Sequence, residues 1–516
     1  MKGHFSFVLH THMPYVRKNG TWPVGEDWLL RAMSEVYMPL LESFARLKDE
    51  GLASCVALTL TPVLCEQLSD PYIKERFIAH LKIMKEHTAG DIRDFEYFHD
   101  DARGAIADEY HASCENKLDD FLAIDCDILG ALRSLEQQGF IETIASSATH
   151  AFLPAQESER TVTYQVAIGI ESHRRHLGVD PAGFWIPECA YREGIERILE
   201  AEGVRYFIAD PSAAPEAPST CPYLVGGSSV AVMQRSNRAH ENVWDERTGY
   251  PADNLYMDTT RYYHGSGLHY WKVTGRDVAI EEKAVYEPTS ATARALDHSR
   301  HFIGDVSGEL SESRACPGAA MPIVLASYDT ELFGHGWHEG IYWLEATLRS
   351  LAASDSVVLT TPSRYLEENP AGSTIELRST SWGTDRDHST WINPGTEWMW
   401  DELAVSQKKL FELLREYGDT LDASVKRALS QAAREVLLLE SSDWPYMVAK
   451  DRARQYATQR FSTHLERFRA IANAIERGRT EQEIKNLSEI EETDRIFAEL
   501  DLGVISMDDA PADEGS

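Results

Sequence analysis

Two carboxylates, far apart in the chain, each close an apolar run. Glu188 ends Gly183-Phe184-Trp185-Ile186-Pro187-Glu188 and is followed by Cys189-Ala190-Tyr191; Asp329 ends Leu325-Ala326-Ser327-Tyr328-Asp329, with Glu331 two residues on. An apolar run that stops on an acid reads as a buried strand aiming one carboxylate at the rim of a sheet. Trp185 and Tyr191 can partly desolvate Glu188 or lie against the C–H face of a sugar. Either acid alone can be an ordinary strand-end member of a salt bridge. Together they match what glycoside cleavage requires: retaining enzymes set two carboxyl groups about 5–5.5 Å apart across the scissile bond, one as nucleophile and one as acid/base. Past Asp329, Gly334-His335-Gly336-Trp337-His338 cannot be regular structure and crowds polar and aromatic groups together.

The histidines admit two accounts. His10-Thr11-His12 closes the first apolar run, and His150 follows a run ending at Ala145. An His-x-His pair at the end of a first strand is the ligand pattern of barrel hydrolases that activate water on zinc, with His150, His335 and His338 available to complete the site. In the other account His10, His12 and His150 hydrogen-bond sugar hydroxyls near the point of cleavage. The pattern alone decides nothing, since it arises often by chance. Aromatic supply favours sugar. Trp391-Ile392-Asn393-Pro394-Gly395-Thr396-Glu397-Trp398-Met399-Trp400 packs three tryptophans into a loop-like segment, and Trp22 and Tyr270-Trp271 add more. Each of these rings can equally be core filling.

Positioning such residues needs elements that converge. Residues 5–9, 53–64, 140–145, 183–187, 205–209, 322–328 and 356–361 read as strands. Residues 29–47, 119–138, 161–176, 195–202 and 340–353 carry helical spacing. Apolar strands alternating with helices are the pattern of a parallel sheet covered by helices. Several strands end on ionisable residues: His10 and His12, His150, Glu188, Asp210 and Asp329. In a β/α barrel those strand ends share one rim, where chemistry sits. An open doubly wound sheet remains an alternative, but no GxGxxG follows any strand, so nothing supports dinucleotide binding. Residues 66–114 are charged, helical and strandless, as an insertion would be. After Trp400 the pattern is helical only, over 403–417, 421–439 and 451–477, and the end of the chain is short and acidic.

The whole composition narrows the class. A chain of 516 residues with 43% hydrophobic side chains can bury more than one core. Its 83 acidic against 50 basic residues give a net charge of −33, which repels nucleic acid and anionic membranes but is indifferent to a neutral polymer. The charge itself serves solubility. Seven scattered cysteines, odd in number and without CxxC, argue against a disulfide framework or a thiolate zinc site and for a reducing compartment. Five apolar residues before His10 are too few for a signal-peptide core, and no run reaches a membrane span. These features together predict a cytoplasmic protein.

The segments quoted above, with Val243-Trp244, Gly249-Tyr250-Pro251 and Ser441-Ser442-Asp443-Trp444-Pro445-Tyr446, resemble glycoside hydrolase family 57, and most closely its glucan-branching branch. The resemblance runs over most of the chain. It implies an α/β fold: an incomplete (β/α)7 barrel over residues 1–400 with a helical insertion at about 66–115, an all-helical region over 401–506 and a disordered acidic tail over 507–516. It implies a retaining mechanism without metal or cofactor, with Glu188 as nucleophile and Asp329 as general acid/base. His10, His12, Trp22, His150, Trp271, Trp391 and Trp398 match positions lining the sugar subsites. The implied substrate is an α-glucan (amylose, glycogen or maltooligosaccharide), cut at α-1,4 bonds and rejoined through a 6-hydroxyl as an α-1,6 branch. One departure bears on the outcome. The stretch between Asp210 and Val230 is short where the branch carries a longer loop with an aromatic tip, and Tyr223 is the residue that could serve as that tip. Residues 253–270 also look trimmed. A short lid shields the intermediate less, so weakened branching and more hydrolysis are expected. An α-amylase or 4-α-glucanotransferase of the same family, a metal-dependent barrel hydrolase and a non-catalytic glucan-binding protein stand as alternatives.

Overall fold

Nine consecutive buried residues, Gly3–Thr11, form strand β1 of the protein, here in a computed structural model that describes residues 3–53, 56–245, 247–275, 277–478 and 487–506. The acidic tail 507–516 lies outside the described residues. The other strands are β2 (Val56–Leu60), β3 (Ile141–Ser146), β4 (Gly183–Trp185), β5 (Tyr206–Ala209), β6 (Tyr223–Val225), β7 (Ala231–Gln234), β8 (Ile323–Asp329), β9 (Val357–Leu359) and β10 (Thr374–Ile375). They lie in the order β10-β6-β7-β5-β4-β3-β2-β1-β8, with β9 also paired to β1.

From β7 through to β8 every pairing is parallel. The strands of this run are almost wholly buried because helices cover them, which is why their sequences read as continuous apolar runs rather than alternating ones. The two ends of the run approach each other just past β7, where Ser236 N–H donates to the Leu325 carbonyl at 2.7 Å. Seven parallel strands therefore curl into an incomplete (β/α)7 barrel. The seventh, β7, is absent from the sequence-based strands, as are β6 and the helices Asn237–Trp244 and Pro288–Glu312. Four residues are too few to show a period, and β7 declares itself by pairing with β5.

Two further expectations are corrected. The helix expected over 119–138 is two helices, Asp101–Ala123 and Ile128–Gln137, parted by Asp125 and Cys126 in left-handed conformation. The helix Pro71–Tyr97 packs on the first of these, with Phe77 edge-on to Phe121 at 4.9 Å. Asp70 and Asp100 cap the pair, accepting from the backbone of Tyr72 and Arg103. Against the reading of scattered free thiols, Cys221 and Cys316 are bonded across a separation of 95 residues. One lies in the loop before β6 and the other just before β8, so the sheet's seam brings together what spacing keeps apart. That pair removes the cysteine argument for a reducing compartment. Cys65, Cys114, Cys126 and Cys189 are free, and Cys55 lies outside the described residues. No helix among the described residues is long and apolar enough to cross a membrane.

The helices Glu397–Tyr417, Ala423–Leu439, Asp443–Ala449 and Arg454–Glu476 follow the sheet. The apolar face of Ala423–Leu439, with Leu429, Ala432, Ala433 and Val436, packs on Tyr15, Ala148 and Tyr164 of the barrel. At its end the chain is stitched to the loop after β3. Thr149 Oγ1 donates to the Leu437 carbonyl at 2.5 Å, and Ser442 N–H to the His150 carbonyl at 3.0 Å. This stitching fixes where residues 441–443 point.

Candidate active site

Glu188 sits in the turn Pro187–Cys189 that follows β4, with φ 63°. Cys189 and His150 share the left-handed conformation, at φ 48° and 55°. Each such residue costs about 1–3 kcal/mol and persists only where its surroundings over-determine it. The surroundings here are specific. Trp382 N–H donates to the Glu188 carbonyl at 2.9 Å, and the Trp382 indole Nε1–H donates to Glu188 Oε2 at 2.8 Å. Ser442 Oγ–H donates to Oε1 at 2.9 Å. Burial nonetheless pushes the carboxyl up to about 7, against those two donors and with help from the neighbouring charges of Asp329 and Asp443.

Three histidines lie side by side next to it. The His12 and His150 rings stack at 3.9 Å, and His10 lies between His150 and Trp185, at 5.0 and 4.6 Å. His10 Nε2 and His150 Nε2 are 2.9 Å apart, and His150 Nδ1 meets Ser442 Oγ at 2.8 Å. His12 is held by Thr61 Oγ1 at 3.0 Å and by both oxygens of Asp443 at 3.1 Å. Burial alone would lower His12, but Asp443 and other nearby carboxylates raise it. His10 and His150 are lowered well below the ordinary range by burial and by the neighbouring charge of His12. The shifts run in opposite directions, His12 toward its charged form and His10 and His150 toward the neutral one.

Asp329 ends β8 in register with His10 of β1. Burial raises it to about 6, opposed by His12. Glu331 accepts from the Tyr37 hydroxyl at 2.6 Å and from His12 N–H at 3.2 Å, and burial raises it to about 8. Asp329 is thus near enough for its charge to raise Glu188, and burial raises both carboxyls above the ordinary carboxylate range.

Other sequence-selected residues are placed elsewhere. Asp210 is buried beneath Arg235, receives Arg386 Nη1 at 2.8 Å and Ser212 Oγ at 2.6 Å, and so braces the sheet. Burial pushes its carboxyl up, yet Arg235 and the other donors hold it below the ordinary range. Its stabilising effect is therefore present above the unfolded carboxylate pKa and lost as pH falls. Asp210→Ala, which strands the Arg235 guanidinium, should destabilise the fold by about 3–5 kcal/mol in urea denaturation at neutral pH.

His335 pairs with Glu35 at 2.5 Å, and His338 lies edge-on to Tyr110 and Tyr286, both apart from the His10–His12–His150 group. Tyr223 is 3% exposed within β6, its hydroxyl donating to the Pro218 carbonyl, so it is no loop tip. Trp271 is buried, its ring covered by the Arg261 guanidinium at 3.8 Å. Trp391 is buried too, stacked on Phe152 at 4.8 Å and packed with Ala190 and Trp382 beside Glu188. Trp398 is partly exposed against Phe461, and Trp22 is 77% exposed.

His10 and His150 direct Nε2 at each other and His12 directs Nε2 at Asp443, so they do not converge on one point as ligands would. Among the described residues, Glu435, His464 and Asp494 do converge, in the helical region, where Arg460 and Arg467 already supply the positive charge. The residues that sequence reasoning missed are Trp382, Ser442 and Asp443. Three polar residues before Trp444-Pro445, in an otherwise amphipathic region, were the available signal.

Comparison with known proteins agrees with this architecture. Residues 6–285 match the model of glycosyl hydrolase family 57. The chain belongs to this family. Residues 402–504 match a second model, the C-terminal region of 1,4-alpha-glucan branching enzymes. A 1,4-alpha-glucan branching enzyme of Thermococcus kodakarensis is 36% identical over 99% of this chain and 80% of its own length. A probable 1,4-alpha-glucan branching enzyme of Mycobacterium tuberculosis is 33% identical, over 97% of each chain. Among solved structures, the family 57 branching enzyme of Thermococcus kodakaraensis superposes with TM-score 0.93 at 35% identity, covering 99% of this chain and 98% of that one. The alpha-amylase AmyC of Thermotoga maritima superposes with TM-score 0.89 at 26% identity, over 99% and 100%.

Proposed function

We propose that this family 57 protein is a retaining glucan branching enzyme. It cleaves α-1,4-glucosidic bonds through a glucosyl-enzyme and passes the chain to a 6-hydroxyl of an α-glucan. The observation that carries the reading is the Glu188–Asp329 pair: two mostly buried carboxyls, near enough that the charge of Asp329 raises Glu188, the first held by two hydrogen-bond donors that favour its ionised form. The full-length similarity to proteins named as branching enzymes supplies the substrate.

Glu188 Oε attacks the anomeric carbon while the Asp329 carboxyl protonates the departing glycosidic oxygen. The glycosyl ester then yields to an acceptor hydroxyl, whose proton returns to Asp329. Water in place of the 6-hydroxyl gives hydrolysis by identical steps. A second product therefore has support of its own. With Tyr223 locked in β6, the 210–230 stretch offers no aromatic to cover the ester. We expect hydrolysis to compete strongly. Proton NMR of amylose incubated with the enzyme, with a parallel reducing-end assay, should give both an α-1,6 anomeric signal and new reducing ends. Reducing ends without any α-1,6 signal would make the protein a hydrolase, and silence in both would refute the glucan reading.

A further inference from the structure

Ser442 Oγ carries one proton and touches two partners, Glu188 Oε1 at 2.9 Å and His150 Nδ1 at 2.8 Å. An ionised carboxylate can only accept. When Glu188 is charged, the Ser442 proton must therefore point at it, and Ser442 must accept from His150. That requires His150 to carry its proton on Nδ1 and leaves the Nε2 lone pair facing His10. His10 then carries its proton on Nε2, and its Nδ1, buried and without a partner, is a bare lone pair.

If Glu188 holds a proton on Oε1 and gives it to Ser442, every arrow reverses. Ser442 donates to His150 Nδ1, His150 donates from Nε2 to His10, and His10 must carry its proton on Nδ1. The same atom then becomes a buried N–H with nothing to donate to. A stranded buried donor of this kind is disfavoured in native structures more strongly than a spare lone pair. The two directions are thus unequal, and the inequality is set at His10, three links from the carboxylate.

We infer that Ser442 is a positioning residue that ties the ionisation of Glu188 to fixed tautomers of His150 and His10, so that the histidine chain favours the charged nucleophile. This deepens the reading of Glu188 given above and rests on it. Ser442 comes from the helical region, so the helices complete the barrel's chemistry as well as its packing. The same chain is consistent with His10 and His150 staying neutral, since a second N–H proton on either ring would have no acceptor in line. The titratable groups facing Glu188 are Asp329 from β8, Asp443 and Tyr446 from the helical region, His150 after β3, His12 after β1 and its neighbour Cys189. Only His150 reaches it through a shared hydroxyl.

Long-range proton–nitrogen NMR of the full-length protein labelled at histidine nitrogens reads the tautomers directly, without turnover. At pH 7.5 we expect His150 protonated on Nδ1 and His10 on Nε2. In Ser442→Ala the His150 preference should weaken, and the acid limb of kcat/KM on amylose should move up by about one pH unit, a tenfold loss below it. His150 protonated on Nε2 in the parent protein would overturn the inference, as would an unmoved acid limb in folded Ser442→Ala. Because the tautomers are read independently of activity, this result stands apart from whether Glu188 is the nucleophile, which its own substitution tests.

Discussion

Glu188→Gln is expected to lower glucan turnover by at least about 1,000-fold while leaving the fold intact, and Asp329→Asn to do the same. The amide keeps the volume and the hydrogen bonds of Glu188 in part but cannot form the glycosyl ester. The Asn cannot protonate the leaving oxygen. Initial rates on amylose, with circular dichroism as the control for folding, decide each assignment. Because the Trp382 and Ser442 donors sit on Glu188 and not on Asp329, the two losses should differ in kind. Asp329→Asn should retain more activity toward a substrate with an activated leaving group, which needs no proton, whereas Glu188→Gln should not. Parent-level activity in either variant would remove that residue from the mechanism.

The second large effect is expected from Asp443, which lies 114 residues beyond Asp329 and outside the barrel's own strands. Its two oxygens hold His12 Nε2, and Ser441 Oγ holds Oδ2 at 2.6 Å. Asp443→Asn removes the countercharge that raises His12, so the imidazole shifts toward its neutral form. Two consequences follow. The His12 ring, which stacks on His150 beside the nucleophile, loses its fixed orientation, and kcat/KM should fall by about 100-fold. With less charge on His12 to oppose its burial, Asp329 rises as well, and the basic limb of the pH profile moves to higher pH. Side-by-side pH–rate profiles read both changes. A rate loss without the limb shift would mean that Asp443 acts through packing alone.

Much of the site was legible without coordinates. A carboxylate at the end of an apolar run has to emerge at a strand end, because the strand buries everything before it. That logic locates Glu188, Asp329 and the His10-Thr11-His12 run from residue type and order alone. The same logic over-reads Asp210. It also ends a buried strand, but Arg235 and Arg386 converge on it from remote segments, and no local pattern announces a buried ion pair. The aromatics fail for a related reason. A tryptophan in a Gly/Pro-containing segment reads equally well as a sugar platform or as core. Packing decides between them: Trp391 and Trp271 are buried while Trp22 stays exposed.

What the sequence determined by itself was the grammar: alternating apolar strands and helices, a helical region after residue 400, and the two carboxylates with their histidine neighbours. Those follow from burial and periodicity, which are local. Closure was left to the tertiary structure. The four residues of β7 become a strand only by pairing with β5, and Cys221 meets Cys316 only across the seam. Likewise, Ser442 and Asp443 enter the site only because an apolar helix face packs on Tyr15, Ala148 and Tyr164 and delivers its C-terminal end to the loop after β3. Contacts between segments distant along the chain depend on how whole faces match in shape and charge, which the local pattern of either segment does not contain.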